Sequence, residues 1–446
     1  MNNRYDKYKS VSLPWLNEIP EHWEIIRNKN IFMEKKKSVG SQFEKYKLLS
    51  LSLKGVIERN LEDGGKFPAS FEKYTIVNPK DLVFCLFDID ETPRTIGISK
   101  IEGMITSAYN IMAVEKDCAK YIYYFYLYLD FIKGLKPYYS SLRKTVNIDT
   151  FNSFKILIPP INEQEQIANY LDWKISEIDR LIQIEKKKIK ELELFKQKYI
   201  DLQIESIDCE MQPLKSIFDF GKGLGITKEN LGETGFKCIS YGEIHNDFIF
   251  SFSSNNPKLK GLEKIGGIVI TNFAQLKEGD FVFADTSEDL KGCGNFTFLE
   301  DNFQKVYAGY HTVVAKPIIK FKSKYLAYYF QSNKWRKQIR ESVKGIKVYS
   351  ITQQILKSSK VQIPDEEVQT SITDKLDKFI GNINSLRDTL ENSIKELINL
   401  KQSLISEVVT GKIDVRNIVI PEYEKVTVLD DEIEEFDEME DIEDGD

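Results

Sequence analysis

Few side chains in this sequence are placed to do chemistry, and their spacing argues against catalysis. Asp88, Asp90 and Glu91 share one loop with Arg94. Such oxygens can hold a hard cation, but a solvated turn explains them without one. Gly221-Lys222-Gly223-Leu224-Gly225 comes nearest to a phosphate-cradling loop, yet it lacks the flanking strand–helix–strand pattern. No Walker-A sequence and no Gly-x-Ser-x-Gly elbow occurs. Of the three histidines, His22, His245 and His311, neither His22 nor His311 has a partner pattern for acid–base work, so polar or interface roles are expected. The five cysteines are scattered without Cys-x-x-Cys spacing, which predicts reduced thiols and no metal site. The expected protein is not an enzyme.

If the chain presents a surface, the elements that hold it matter most, and these come in duplicate. Ile158-Pro159-Pro160-Ile161-Asn162-Glu163-Gln164-Glu165-Gln166, followed by Leu171-Asp172, returns 205 positions later as Ile363-Pro364-Asp365-Glu366-Glu367-Val368-Gln369, followed by Leu376-Asp377. A tyrosine-rich segment repeats as well, Tyr121-Ile122-Tyr123-Tyr124-Phe125 beside Tyr325-Leu326-Ala327-Tyr328-Tyr329-Phe330. Two similar halves follow, each a globular unit and then a long helix. The expected blocks are residues 1–160, a first globular unit; 161–207, a first long helix; 208–363, a second unit; 364–416, a second long helix; and 417–446, an acidic, disordered tail. Alternating apolar segments such as Leu82-Val83-Phe84 predict a mixed sheet with helices in the first unit. Asn162 is expected to cap the first helix, which runs to about Ile204. The second is expected from about Asp365 to Thr410, where Gly411 breaks it.

Both helices carry a stripe with alternating steps of four and three residues, the spacing of a coiled coil. One reads Leu171, Ile175, Ile178, Ile182, Glu185, Ile189, Leu192, Lys196, Tyr199; the other reads Leu376, Ile380, Ile383, Arg387, Leu390, Ile394, Leu397, Lys401, Leu404. The fold class expected is α+β, with two similar α/β units joined by two long antiparallel helices under pseudo-two-fold symmetry. Glu185 and Arg387 interrupt the stripes near their centres and are expected to set the register of the helix pair.

The net charge of −7 conceals an asymmetry. Twelve acidic residues and no basic one lie between Asp430 and Asp446, so the rest of the chain carries about +5. A mildly basic body is compatible with nucleic-acid binding. The polar start and the shortness of the apolar stretch Tyr121–Ile132, interrupted by Asp130, predict a cytoplasmic protein.

The residues then resemble a family. Leu13-Pro14-Trp15-Leu16 with Ile19-Pro20-Glu21-His22-Trp23-Glu24 looks like the entry to a target recognition domain of a Type I restriction–modification specificity subunit. Ile158–Ile167 is similar to that family's first conserved helix, and Leu404–Arg416 resembles its C-terminal signature. The second helix start, Pro364-Asp365-Glu366-Glu367-Val368-Gln369, is a degraded version of the first and is expected to alter one contact with a partner. The resemblance implies two target recognition domains reading a split site on double-stranded DNA. It implies that the helices fix the gap and dock two adenine-N6 methyltransferase subunits, with translocase–nuclease subunits joining. S-adenosylmethionine, ATP and Mg²⁺ would belong to those partners, leaving no cofactor and no metal in this chain. A paired-helix scaffold that does not read DNA is the alternative.

Phosphate contacts need Lys, Arg or backbone amides, while base reading needs polar side chains that reach a groove. Both halves place a basic turn shortly before the long helix, with Arg143 and Lys144 in one and Lys344 and Lys347 in the other. Further DNA candidates are Lys54, Arg59, Arg94 and Tyr109 in the first half, and Lys222, Lys228, Tyr241, Lys291 and Tyr310 in the second.

Overall fold

The computed structural model describes residues 4–60, 70–139, 144–263, 266, 269–345 and 348–426. The chain divides into two compact units, Met1–Lys187 with Leu390–Asp446, and Lys188–Thr389. Arg143, Lys347 and the acidic tail beyond residue 426 lie outside the described residues. Among the described residues no helix is long and apolar enough to cross a membrane.

The first unit is built on a four-stranded sheet in the order Phe32–Lys35, Asn110–Val114, Leu82–Phe84, Ile96–Ile98. Every neighbouring pair is antiparallel, so this sheet is not the mixed one expected from sequence. The reason is connectivity. Parallel neighbours need a long crossover, usually a helix, and among the described residues no α-helix lies between these strands in the chain. Side chains alternate across the sheet: Leu82 and Phe84 enter one core with Tyr121, Phe125 and Phe151, while Val83 enters a second with Ile111.

The second unit repeats that order with Phe218–Lys222, Thr312–Pro317, Phe281–Ala284 and Phe296–Leu299. It adds Phe250–Phe252 parallel to the last strand, which makes this sheet mixed. Here Phe281 and Phe283 face the long-helix core, and Val282 and Ala284 face a second core. One acidic side chain opens the central strand in both units. Asp81 accepts from the Asn78 N–H at 2.8 Å and pairs with Lys35; Asp280 accepts from the Lys277 N–H at 2.9 Å and pairs with Lys316.

The sequence repeat is realised as a repeated set of bonds between the tyrosine helix and the long helix. In the first unit Ala119–Phe131 docks on Ile161–Glu205; in the second Ser323–Gln331 docks on Glu366–Val409. Gln164 accepts from the Cys118 N–H and donates to the Pro159 carbonyl; Gln369 accepts from the Lys322 N–H and donates to the Pro364 carbonyl. The Tyr121 hydroxyl donates to the Leu157 carbonyl and that of Tyr325 to the Gln362 carbonyl. Asp172 binds Lys120 and Tyr124; Asp377 binds Lys324 and Tyr328. The matched residues are therefore those that fasten each tyrosine helix to the long helix and the segment leading into it.

Burial pushes the Asp172 carboxyl up, but the Lys120 and Tyr124 hydrogen bonds outweigh it and hold the group below the usual carboxylate range. Its stabilisation is then complete above the unfolded-state value near 4 and is lost as pH falls through the lower folded value. Asp172→Asn is expected to cost about 2 kcal/mol at neutral pH. Denaturant melts at several pH values should show that deficit shrinking on acidification below about pH 4; a deficit independent of pH would rule the linkage out.

The helix ends differ slightly from expectation. The first helix starts at Ile161, one residue before the expected cap, because the Pro160 carbonyl already accepts from the Glu163 and Gln164 N–H groups. Asp365 caps the second, its Oδ1 accepting from the Val368 N–H at 2.9 Å. That helix ends at Val409, and Gly411 follows at φ +74°. A Cβ there would stand 2.5 Å from Pro20, so both conformation and space demand glycine.

Every position of both predicted stripes is buried or half-buried. Within the first unit the helices run antiparallel, with the Lys401 ammonium 2.7 Å from Asp179 and Gln166 donating to the Val415 and Ile418 carbonyls. In the second, Tyr199 stacks on Phe379 at 3.9 Å, and Arg387 sits 3.7 Å from Glu193.

Segments 5–23 and 411–426 both pack against the first half of the first long helix. Buried Glu163 accepts from the Tyr5 hydroxyl at 2.6 Å and from the Trp23 indole at 2.9 Å, and lies 2.7 Å from His22 Nε2. Tyr8 donates to the Gly411 carbonyl. Beyond the signature, residues 417–426 continue along the first helix. The Ser176 hydroxyl donates to the Glu424 carbonyl and accepts from the Val426 N–H, while Lys425 pairs with Asp172.

Candidate nucleic-acid interface

In the second unit a cleft of about 900 Å³ opens between the first long helix, the short helix Tyr241–Asn246, the segment 285–295 and the helix Asn333–Ser342. Each wall has a local cause. The Ser240 N–H donates to the Glu243 carboxylate, which closes the start of the short helix and sets Tyr241 on its first turn. Ser332 caps the helix 333–342 by accepting from the Trp335 N–H. Asn333 is fastened to Asp201 of the long helix by its N–H at 2.7 Å and its amide at 2.8 Å. Trp335 and Ile339 are buried on one face, and Arg336 and Arg340 lie one turn apart on the cleft.

Aromatic edges line the opposite side. Tyr241 stands edge-on to Tyr310 at 5.6 Å and to His311 at 5.4 Å. His311 has φ +52°, a left-handed conformation that costs a non-glycine residue on the order of 1 kcal/mol. Its Nδ1 lies 3.1 Å from Asp285 Oδ1. A carboxylate only accepts, so Nδ1 carries a proton, and in that tautomer of the neutral ring Nε2 is an acceptor. His245 is a supporting residue instead. Its Nε2 donates to the Thr286 carbonyl at 2.9 Å and its Nδ1 accepts from the Asn295 amide at 2.9 Å, so both ring nitrogens are occupied.

Arg336 completes that line. Its Nη1 donates to Asn295 Oδ1 at 2.9 Å and to the Lys291 and Cys293 carbonyls. Burial and the neighbouring Arg340 charge push its guanidinium down to about 10. Arg340 donates to the Leu290 and Lys291 carbonyls. Such an arrangement of guanidinium, imidazole and phenol suits an anionic ligand carrying flat polar edges.

Of the residues predicted from sequence, Tyr241 and Lys291 line this cleft, and Tyr310 packs against Tyr241. Lys222, at the end of its strand, and Lys228 and Lys344 are exposed but are not among the lining residues. Sequence reasoning missed Arg336, Arg340, Asn295 and His311 as site residues. The signal for the arginines was present, a four-residue spacing one turn into a helix that Ser332 caps.

In the first unit the candidates are dispersed. Lys54 is at the tip of the hairpin Leu49–Ser52 and Gly55–Glu58, with Arg59 just past it. Arg94 donates to the Leu53 carbonyl and lies 3.5 Å from buried Asp130, with its side chain 15% exposed. Tyr109 stacks on Phe87 at 5.9 Å. The acidic loop predicted around Asp88 meets Lys144 rather than Arg94: Lys144 lies 2.7 Å from Glu91 and 3.7 Å from Asp90, which also pairs with Lys136. Among the described residues no group of three or more His, Cys, Asp or Glu is placed to hold a metal.

Known proteins resemble this chain along nearly its whole length. The family model for the Type I restriction modification DNA specificity domain matches twice, at residues 20–194 and 207–396. The Type I restriction enzyme MjaVIII specificity subunit of Methanocaldococcus jannaschii is 25% identical over 430 residues, covering 90% of this chain and 95% of that protein. A chain from a solved structure on complex assembly and conformational transition of the type I R-M system has a TM-score of 0.64 at 12% identity, covering 89% of this chain and 99% of that one; it shares the fold. The HsdS subunit from Thermoanaerobacter tengcongensis aligns over 90% of this chain and 100% of its own at 12% identity, with a TM-score of 0.48.

Proposed function

Because the chain belongs to the Type I restriction modification DNA specificity family, we propose that each of its two units reads one half of a split sequence on double-stranded DNA. It is the non-catalytic specificity subunit of a Type I restriction–modification complex. The observation that carries the two-half reading is the double match of the family domain, which falls on the same halves as the repeated sheet, tyrosine helix and Gln164/Gln369 fastening. The long helices hold the units at a set spacing and dock two adenine-N6 methyltransferase subunits, and translocase–nuclease subunits complete the assembly. S-adenosylmethionine, ATP and Mg²⁺ are then the partners' requirements.

Within the second unit, Tyr241, His311 and Lys291 are the groups best placed to meet DNA; in the first, the candidates are Lys54 at the hairpin tip and Arg59 just past it. Methylation-aware sequencing of DNA from cells that hold the chain and its methyltransferase, against cells lacking only the chain, tests this reading. The expected result is loss of N6-methyladenine from one bipartite motif with a fixed gap. An unchanged methylome in cells whose methyltransferase is active would refute it.

A further inference from the structure

Among the described residues Arg336 is a buried cation without a counter-charge. Its residue is 8% exposed, and all three of its bonds run through Nη1 to neutral oxygens. Arg340, one turn on, likewise bonds only carbonyls. Among the described residues neither guanidinium has an ion-pair partner, and both line the cleft. Of the carboxylates on the same walls, Glu193 holds Lys196 and Arg387, Asp289 accepts from the Gly292 N–H, and exposed Glu288 makes no ion pair with either guanidinium among the described residues.

Burying a charge without compensation is costly, and elsewhere the protein avoids it. Half-buried Arg94, for example, is matched by Asp130 at 3.5 Å. A guanidinium serving only to fasten loop 291–295 would need no second arginine beside it. Nη2 and Nε of Arg336 remain without an acceptor among the described residues, the donor pair that a tetrahedral oxyanion takes in two-point fashion.

We propose that Arg336 and Arg340 form a phosphate seat in the second unit, taking a backbone phosphodiester of bound DNA while His311 offers Nε2 to the edge of the adjacent base. The proposal rests on the DNA-reading function above and adds to it which residues anchor and which discriminate. Bound phosphate supplies the missing counter-charge, so the seat is strengthened by its ligand. His311, held in its strained conformation by Asp285 and the Tyr241 edge, lies on the same cleft.

The test uses the full-length chain with a fluorescein-labelled 30-base-pair duplex bearing the motif from methylome sequencing, titrated from 50 to 200 mM salt. Arg340→Gln, on a half-buried position, is expected to weaken binding several-fold and to lower the salt slope by about 1, with the methylated motif unchanged. Arg336→Lys keeps the charge but loses the fork, and should weaken binding without a change in slope; its melting temperature checks folding. His311→Ala should instead relax one base position in one half of the motif and leave the slope alone. Inorganic phosphate is the second probe. If it raises the melting temperature of the wild type but not of Arg340→Gln, and the duplex competes with it, the seat and its DNA source are both supported. If phosphate stabilises while the wild type binds no duplex, the anion seat stands and the DNA reading fails. Sequence-specific binding by the wild type, with Arg340→Gln and Arg336→Lys unaltered in affinity and slope, would overturn the seat and leave the function intact.

Discussion

Glu163→Ala is expected to destabilise the first unit by roughly 3–5 kcal/mol, the range for removing one partner from a buried charged cluster. The carboxylate serves the Tyr5 hydroxyl, the Trp23 indole and His22, and no other acceptor among the described residues is bonded to the first two side-chain donors. Truncation therefore strands two donors in a core where Trp23 is fully buried. Glu163→Gln keeps one acceptor oxygen and should fall between the two. Val368 is the counterpart on the second helix and is 39% exposed, so Val368→Glu should be within about 0.5 kcal/mol of wild type, as surface changes usually are. Chemical denaturation followed by tryptophan fluorescence measures all three. A loss below 1 kcal/mol for Glu163→Ala would mean that water replaces the carboxylate and that the corner is not held by it.

Shortening the chain after Val426 should raise its affinity for non-specific duplex DNA by on the order of 10-fold at 50 mM salt. The removed stretch carries twelve acidic residues and no basic one, so the net charge moves from −7 to about +5. The gain comes from removing a polyanion that repels DNA, and it should largely vanish by 200 mM salt as the Debye length contracts. The strap at Glu424 and Val426 stays in place, so the melting temperature should hold. Anisotropy titrations at the two salt concentrations decide it. Equal affinities at low salt would show that the tail does not act on DNA binding.

Much of the architecture was legible because it rests on spacing. The stripe from Leu171 to Tyr199 and its counterpart from Leu376 to Leu404 follow helical periodicity, and burial falls on those positions. The repeat was equally readable, since Gln164 and Gln369, or Asp172 and Asp377, make the same bonds to the same kind of helix. The departure at Val368 was visible in sequence too. Its cause was not, because only the first helix start receives the N-terminal segment with Tyr5, His22 and Trp23.

The site was less legible. Tyr241, Lys291 and Tyr310 were chosen by residue type, a signal that says nothing about what surrounds them. Arg94 and Lys144 show the limit, since sequence cannot tell that Asp130 and Glu91 lie beside them. Arg336 shows the reverse case, a cation notable for having no ion-pair partner among the described residues.

By itself the sequence determined the two-half plan, the long helices with their stripes and ends, the lack of an evident catalytic motif, and the family that these features resemble. All of these depend on local periodicity, on capping and turn residues, or on residues matched at one fixed displacement. Only the tertiary structure decided which charges are neutralised and which stay open. That depends on groups distant in sequence meeting in space, as Tyr5 meets Glu163, Arg94 meets Asp130 and Asn295 joins Arg336 to His245. Burial sets the strength of each such charge, and burial is a property of the packed chain rather than of any segment.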